Sequence, residues 1–330
     1  MTPIAPHITA FLRQRLAVER QASPHTCDTY AYAFQLLFEF SSRKYGVAPS
    51  ALCLEQLDAD LVLEFLESLQ KERGNSTSTR NARLTAIKSF MRFIEHRVPA
   101  ALNQVQRIRA IPTQKTDTRL VRHLTAKEWQ PILDAPDPAT RLGTRDRAML
   151  HLALSGGLRV SELVGLRIHE LTFDGHYVDV HIRGKGRKER ALKLWKVVAK
   201  SQRAWLAVRG QAAAPELFLN ARGQPMTRSG FEYVLNKHVA AAAKEVPSLR
   251  DKRVSPHVLR HSCALNILRA TGDIRKVALW LGHSSIQTAE IYVGADPTDR
   301  LETLAKVTPP MLRPGKFRPP DRLIALLKGD

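Results

Sequence analysis

Apolar residues recur at helical spacing through the first hundred positions. Ile8, Phe11, Leu12 and Leu16 fall on one side of residues 8–20. Ser23 and Pro24 then supply a cap and a first-turn proline. The helix they start, over 26–45, carries Tyr30, Phe34, Leu36, Leu37 and Phe40 and stops at Gly46. Asp58 and Asp60 open a third helix, LVLEFLESLQKERG, closed by Gly74. A Ser/Thr run at 76–79 opens a fourth, RNARLTAIKSFMRFIEHR. On it Arg80, Arg83, Lys88, Arg92 and Arg97 alternate with Leu84, Ile87, Phe90, Met91 and Ile94, a basic face opposite a core face.

From 99 to 123 the period dissolves into prolines, Thr/Gln and basic residues, which predicts a linker over 108–123 after a first domain of 1–107. Thr125 with Glu128 three residues on is a capping box that opens a second domain, 124–307. Helical spacing returns there with one exception. Between 171 and 194 the pattern switches to alternation, HYVDVHIR and ERALKL, joined by the basic turn GKGRK. The fold class expected is mainly α: a helical N-terminal domain, then a mostly helical domain with a small antiparallel β-sheet. Residues 308–330 form an extension with spaced prolines.

Composition sharpens this into a partner. Of 330 residues, 44% are hydrophobic and 25% charged, enough for real cores. Lys and Arg total 51 against 31 Asp and Glu, a net charge of +20 and a pI near 10.3. The excess is +6 over 1–123, +11 over 124–307 and +3 over 308–330, so it belongs to the folded sections and not to one arm. Nucleic acid is the first polyanion to expect, an anionic membrane surface the second. Three cysteines without CxxC spacing argue against a disulfide scaffold, and no apolar run reaches signal or membrane length. A soluble, cytoplasmic protein is expected.

Four patterns in the second domain carry candidate chemistry. In SGGLRVSELVGL, Arg159 starts a helix after a Gly-Gly break and Glu162 lies one turn on; alone this is an ordinary i,i+3 ion pair. Lys185, Arg187 and Lys188 sit in a hairpin turn that is not a Walker A loop, since GxxxxGK[ST] is absent. In SPHVLRHS, His257 and Arg260 share a face at the positive end of a helix dipole, a place for a phosphate. His257 and His261 are also i,i+4, a zinc spacing, but the glutamate of HExxH is missing and Cys263 is the one further ligand nearby. LGHSSIQTAEIY presents His283 and, nine residues on, Tyr292, which alone reads as packing. Together they supply a phosphate clamp, acid/base groups and a nucleophile. Phosphoryl transfer needs positioning and charge stabilisation, which two Arg forks provide without magnesium.

Arg159 in GLRVSEL, Lys185 in GKGRKER, HVLRH at 257–261, His283 in LGH and Tyr292, in that order from about 124 to 300, resemble the tyrosine recombinase (phage integrase) family. The first domain is similar to that family's core-binding domain in layout. The resemblance implies that Tyr292 attacks a DNA phosphodiester and forms a 3′-phosphotyrosyl link, freeing a 5′-hydroxyl. It implies that Arg159 and Arg260 hold the non-bridging oxygens and Lys185 protonates the departing oxygen. His257 then acts as base, His283 hydrogen-bonds the phosphate and Glu162 orients the set. No cofactor, metal or ATP is implied. Arg80, Arg83, Lys88, Arg92, Arg187 and Lys188 are candidate DNA contacts.

The implied partners are two double-stranded DNA recombination sites held by a homotetramer, or by a hetero-assembly with related recombinases, on the nucleoid. The segment 296–307 is an expected docking helix, and 308–330 either a subunit-contact or regulatory segment or a plain tail. With no arm-binding domain or integron-type insertion expected, the chain looks closest to simple Xer-like or transposon-borne members, with integration, transposition, dimer resolution and inversion all left open as its role. Three rivals stand beside this: a DNA-binding or architectural protein that never cuts, a relaxing enzyme like a type IB topoisomerase, and a zinc-dependent hydrolase.

Overall fold

Side-chain caps decide where the helices of the first unit begin. The computed structural model describes residues 1–116, 122–184, 189–283 and 285–292. The chain divides into two units, 1–118 and 119–330. In the first, α1 (Ile4–Ala10) runs on into a π-helical stretch, Phe11–Glu19, whose wider turn closes with Arg20 N–H on Arg15 O at 3.0 Å. Helix α2 (Pro24–Tyr45) starts at Ser23, whose hydroxyl accepts the Thr26 N–H, and ends at Gly46 with φ +67°. Asp58 caps α3 (Ala59–Lys71) and Ser76 caps α4 (Thr77–Glu95) in the same way. Leu61, Val62, Phe65, Leu66 and Leu69 give α3 one wholly buried face, which packs with Leu84, Ile87, Met91 and Ile94 of α4 in one core. Each such side chain contributes about 1.5–3 kcal/mol. Phe11, Phe34 and Phe90 meet edge to face with ring centroids 5.4–6.0 Å apart.

The expected linker needs correction at its near end. Helix α5 (Leu102–Ala110) occupies part of it, with Val105 and Ile108 fully buried and Ile111 buried beyond. Two inward apolar residues, three apart amid Asn, Gln and Arg, anchor one helical face without making a visible period. The expected boundary at 108 therefore falls inside a helix.

The second unit begins with α6 (Ala126–Asp134), where Glu128 accepts the Thr125 N–H at 2.9 Å to close the box. Helix α7 (Arg141–Gly156) is followed by α8 (Val160–Gly165). The sheet has three strands where two were expected: β1 (Leu171–Asp174), β2 (Tyr177–Arg183) and β3 (Glu189–Leu194), antiparallel in the order β1-β2-β3. The four residues of β1 are too few to reveal an alternation, and Gly175 at φ +53° makes the tight return. Val178, Val180 and Ile182 of β2 pair with Leu194, Leu192 and Arg190 of β3, so Arg190 stands on the same face as two buried leucines. Then follow α9 (Lys196–Arg209), α10 (Arg228–Ala242), α11 (Pro256–Thr271), α12 (Ile274–Leu281) and α13 (Gln287–Glu290). A separate cluster of Cys263, Ala264, Leu265, Val277, Ala278, Leu281, Ala289 and Tyr292 joins α11, α12 and α13.

Candidate active site

The site is assembled round the C-terminal end of α12. The last carbonyls of a helix lack intrahelical donors and carry its negative end, so cations settle there. Three guanidinium groups from three elements take three successive carbonyls. Arg190 Nε donates to Trp280 O at 3.1 Å, Arg260 Nη2 to Leu281 O at 2.7 Å and Arg159 Nη2 to Gly282 O at 3.4 Å.

Each arginine arrives there for a local reason. Gly157, at φ +58°, ends α7; a Cβ on it would lie 2.5 Å from Leu281 Cδ2 and 3.0 Å from Cys263 Sγ. Only glycine lets that turn approach α11 and α12 so closely. Arg159 follows as the N-cap of α8, and its backbone N–H donates to Glu162 Oε2 at 2.9 Å while Nη1 donates to Oε1 at 2.6 Å. Arg260 lies one turn into α11, buried, with Nη1 on Gly157 O. Burial and the neighbouring Arg159 bring it down to about 10, still a cation at neutral pH. Glu162 is buried too. Burial pushes its carboxyl up, but the hydrogen bonds and charge of Arg190 and the bonds from Arg159 outweigh this and hold it below its ordinary value.

Tyr292 is almost fully buried, and its hydroxyl lies 2.9 Å from Nδ1 of His261. Burial pushes the phenol up to about 12 against the pull of Arg260. His261 is brought down to about 4 by burial, then by His257 and Arg260. The pair therefore rests at neutral pH as phenol and uncharged imidazole. His283 stacks on the Tyr292 ring, with centroids 6.4 Å apart and planes at 10°. Its Nδ1 is buried with no hydrogen-bond partner among the described residues, and burial with the three arginines brings it down to about 4.

Arg159, Glu162, Arg260, His283 and Tyr292 thus come together. His257 is exposed in the first turn of α11, its ring 6.4 Å from that of His261. The imidazole on the tyrosine hydroxyl is His261, weighed in the sequence solely as a zinc ligand. Its signal was the second histidine of HVLRH, one turn beyond the first. Arg190 was missed as well, although it is the last letter of GKGRKER. Lys185, Arg187 and Lys188, the segment 296–307 and the extension 308–330 lie outside the described residues.

The candidate DNA face of α4 is corrected in part. Arg80 is buried, with Nη1 on Asn81 Oδ1 at 3.2 Å, and desolvation holds it below its ordinary value, so it is not presented on the open face of the helix. Arg83 donates to Thr29 O at 3.2 Å and lies over the Tyr32 ring at 4.8 Å, and Lys88 donates to Ile111 O. Arg92 is exposed. With Arg15, Arg20, Lys88, Arg97 and Arg109 it lines a groove of about 1100 Å³ in the first unit.

Among the described residues no group of three His, Cys, Asp or Glu side chains is placed to hold a metal ion, and no helix is long and apolar enough to cross a membrane. Arginines round a helix end, with a tyrosine between two imidazoles, are groups chemically suited to phosphoryl transfer by charge and covalent attack. The chain belongs to the phage integrase family, as a tyrosine site-specific recombinase of Xer-like type. Residues 122–298 match the phage integrase family and residues 8–98 the phage integrase N-terminal SAM-like domain. An integrase/recombinase of Sinorhizobium fredii, y4rC, is 41% identical over 98% of this chain and 97% of its own length. Tyrosine recombinase XerC of Pelobacter propionicus is 32% identical over 94% and 97%. Among solved structures, the XerH site-specific recombinase bound to palindromic difH substrate matches with a TM-score of 0.69 at 24% identity. That likeness covers 87% of this chain and 81% of the other, and is one of fold.

Proposed function

We propose that Tyr292 Oη attacks a scissile DNA phosphodiester, forming a 3′-phosphotyrosyl bond as the P–O5′ bond breaks. The observation that carries this is the 2.9 Å contact between that hydroxyl and His261, within a shell that also holds Arg159, Arg260 and His283. The phenol proton passes to His261 Nδ1, and Lys185 delivers one to the departing 5′-oxygen. Arg159 and Arg260 hold the non-bridging oxygens, where charge builds in the transition state. His283 Nδ1, without a hydrogen-bond partner among the described residues, turns to the same phosphate. The base role first assigned to His257 goes to His261. His257, exposed in the first turn of α11, meets the phosphate at the positive helix end. Glu162 orients Arg159. The link stores the energy of the broken bond, so a second strand's 5′-hydroxyl reverses the step without ATP.

The first unit, with Arg92 and its basic groove, tracks the DNA backbone, and the second performs the chemistry. Two DNA sites are joined by a homotetramer, or by a mixed assembly with related recombinases, on the nucleoid in the cytoplasm. XerH was solved on a DNA substrate after cleavage, and this chain shares its fold. The test is a plasmid carrying two cognate sites, incubated in EDTA. Recombinant circles with unchanged superhelical density in parental plasmids support the proposal. Relaxation without joining of sites points to topoisomerase action, and binding without either product to an architectural protein.

A further inference from the structure

We propose that Arg190 is a positioning residue for strand cleavage, a clip that fastens Glu162 and the end of α12, the groups against which Arg159 and Arg260 are held to receive the phosphate. This rests on the reading of those two arginines as phosphate-holding groups. Arg190 occupies an inward-facing place on β3, in line with Leu192 and Leu194, where an apolar residue is the ordinary choice. All three of its guanidinium nitrogens are engaged. Nε holds Trp280 O at 3.1 Å, Nη2 holds Glu162 Oε2 at 2.8 Å and Nη1 reaches Oε1 at 3.2 Å. Its side chain is 11% exposed against 32% for Arg159. Both arginines share one buried carboxylate, but Arg159 keeps a much larger face towards solvent than Arg190.

Gly282 fits the same device. At φ +63° it carries the chain from α12 to His283, and a Cβ there would lie 2.8 Å from Arg190 Nη1. The clip thus lies flat against the turn that presents His283. Removing Arg190 has two consequences. The Trp280 carbonyl loses its donor, which loosens that turn. Among the described residues the Glu162 Oε2 then keeps only the Arg159 backbone N–H, so the carboxylate draws Arg159 into a two-pronged grip and withdraws it from the phosphate.

The experiment compares wild type, Arg190→Gln, Arg190→Lys, Glu162→Gln and the Arg190→Gln/Glu162→Gln double variant on a nicked substrate carrying the cognate site. Covalent-adduct rate at saturating protein, DNA affinity and Tm are read for each. Arg190→Gln is expected to cleave about a hundredfold more slowly with affinity unchanged, since small misplacement of reacting groups has effects of that size. Arg190→Lys, which reaches one carboxylate oxygen but not Trp280 O as well, recovers part of the rate. In the double variant the two losses do not multiply, because Arg190 acts through Glu162. Wild-type cleavage by Arg190→Gln overturns the proposal. So do multiplying losses, or a rate loss explained wholly by a lower folded fraction. A wild type that forms no adduct overturns the recombinase reading of the site, and the inference with it.

Discussion

The hydroxyl of Tyr292 and Nδ1 of His261 lie 2.9 Å apart in a pocket closed by α11, α12 and α13. The contact spans 31 residues of sequence and pairs a phenol pushed up to about 12 with an imidazole brought down to about 4. Each is in the protonation state the other needs, the phenol to give a proton and the imidazole to take one. Proton transfer between them is uphill in this arrangement.

Separating hydrogen bonding from proton acceptance at His261 tests its role. His261→Asn keeps a polar partner for the phenol but cannot take its proton, whereas His261→Ala loses both. Single-turnover adduct rates are expected to fall about a hundredfold or more in both variants, with Tm reduced mainly in the alanine variant. An Asn variant that cleaves at the wild-type rate would remove His261 from the chemistry.

Gly282→Ala and Gly272→Ala form a matched pair. Both glycines end helices at φ near +63°, and either alanine costs about 1–2 kcal/mol of backbone strain. A Cβ at 272 meets nothing within 4 Å, whereas at 282 it strikes Arg190. Thermal melts should show both losses, and adduct assays a marked slowing for Gly282→Ala alone.

Acid should weaken the fold well before the carboxylates titrate. His151, His261 and His283 are each brought down to about 4, chiefly by burial. Between about 6.5 and 4 the unfolded chain binds protons that the folded one refuses, so stability falls as pH drops through that window. Glu128, held near 2, loses its contribution only at lower pH. Tm measured from pH 7 to 4.5 should decline, and His151→Asn should flatten the decline. A Tm that stays level over that range would contradict the burial of these neutral imidazoles.

Salt separates the basic residues that touch DNA from those that hold the fold. Affinity should fall steeply with ionic strength, as expected of a chain with net charge +20. Arg92→Ala should lower the slope of log K against log salt by about 1. Arg80→Met, at a buried position, should leave the slope unchanged. A slope change of similar size for Arg80→Met would restore it to the DNA face.

Helix starts were legible because caps are local: Ser23, Asp58, Ser76, Thr125 and Ser255 each act within three residues of themselves. The hairpin was legible from alternation alone. Helix α5 was not, since two buried residues set no period, and β1 was not, since four residues show none. In the site, Arg159, Glu162, Arg260, His283 and Tyr292 could be chosen by motif. The partnership of Tyr292 with His261 could not, because both histidines of HVLRH lie on adjacent turns and only the packing of α13 selects between them. Arg190 was hidden for a similar reason. In a basic hairpin it reads as one more surface cation, and its inward direction depends on the register with Ile182. Arg80 errs the other way, a cation in a basic stripe that tertiary packing buries.

The most direct measurement uses a nicked substrate that traps the cleaved state, resolved on a denaturing gel. Wild-type protein should yield a protein–DNA adduct joined through the 3′-phosphate, and Tyr292→Phe should bind the same DNA with similar affinity and yield none. An adduct formed by Tyr292→Phe, or one joined through a 5′-phosphate, would contradict the account.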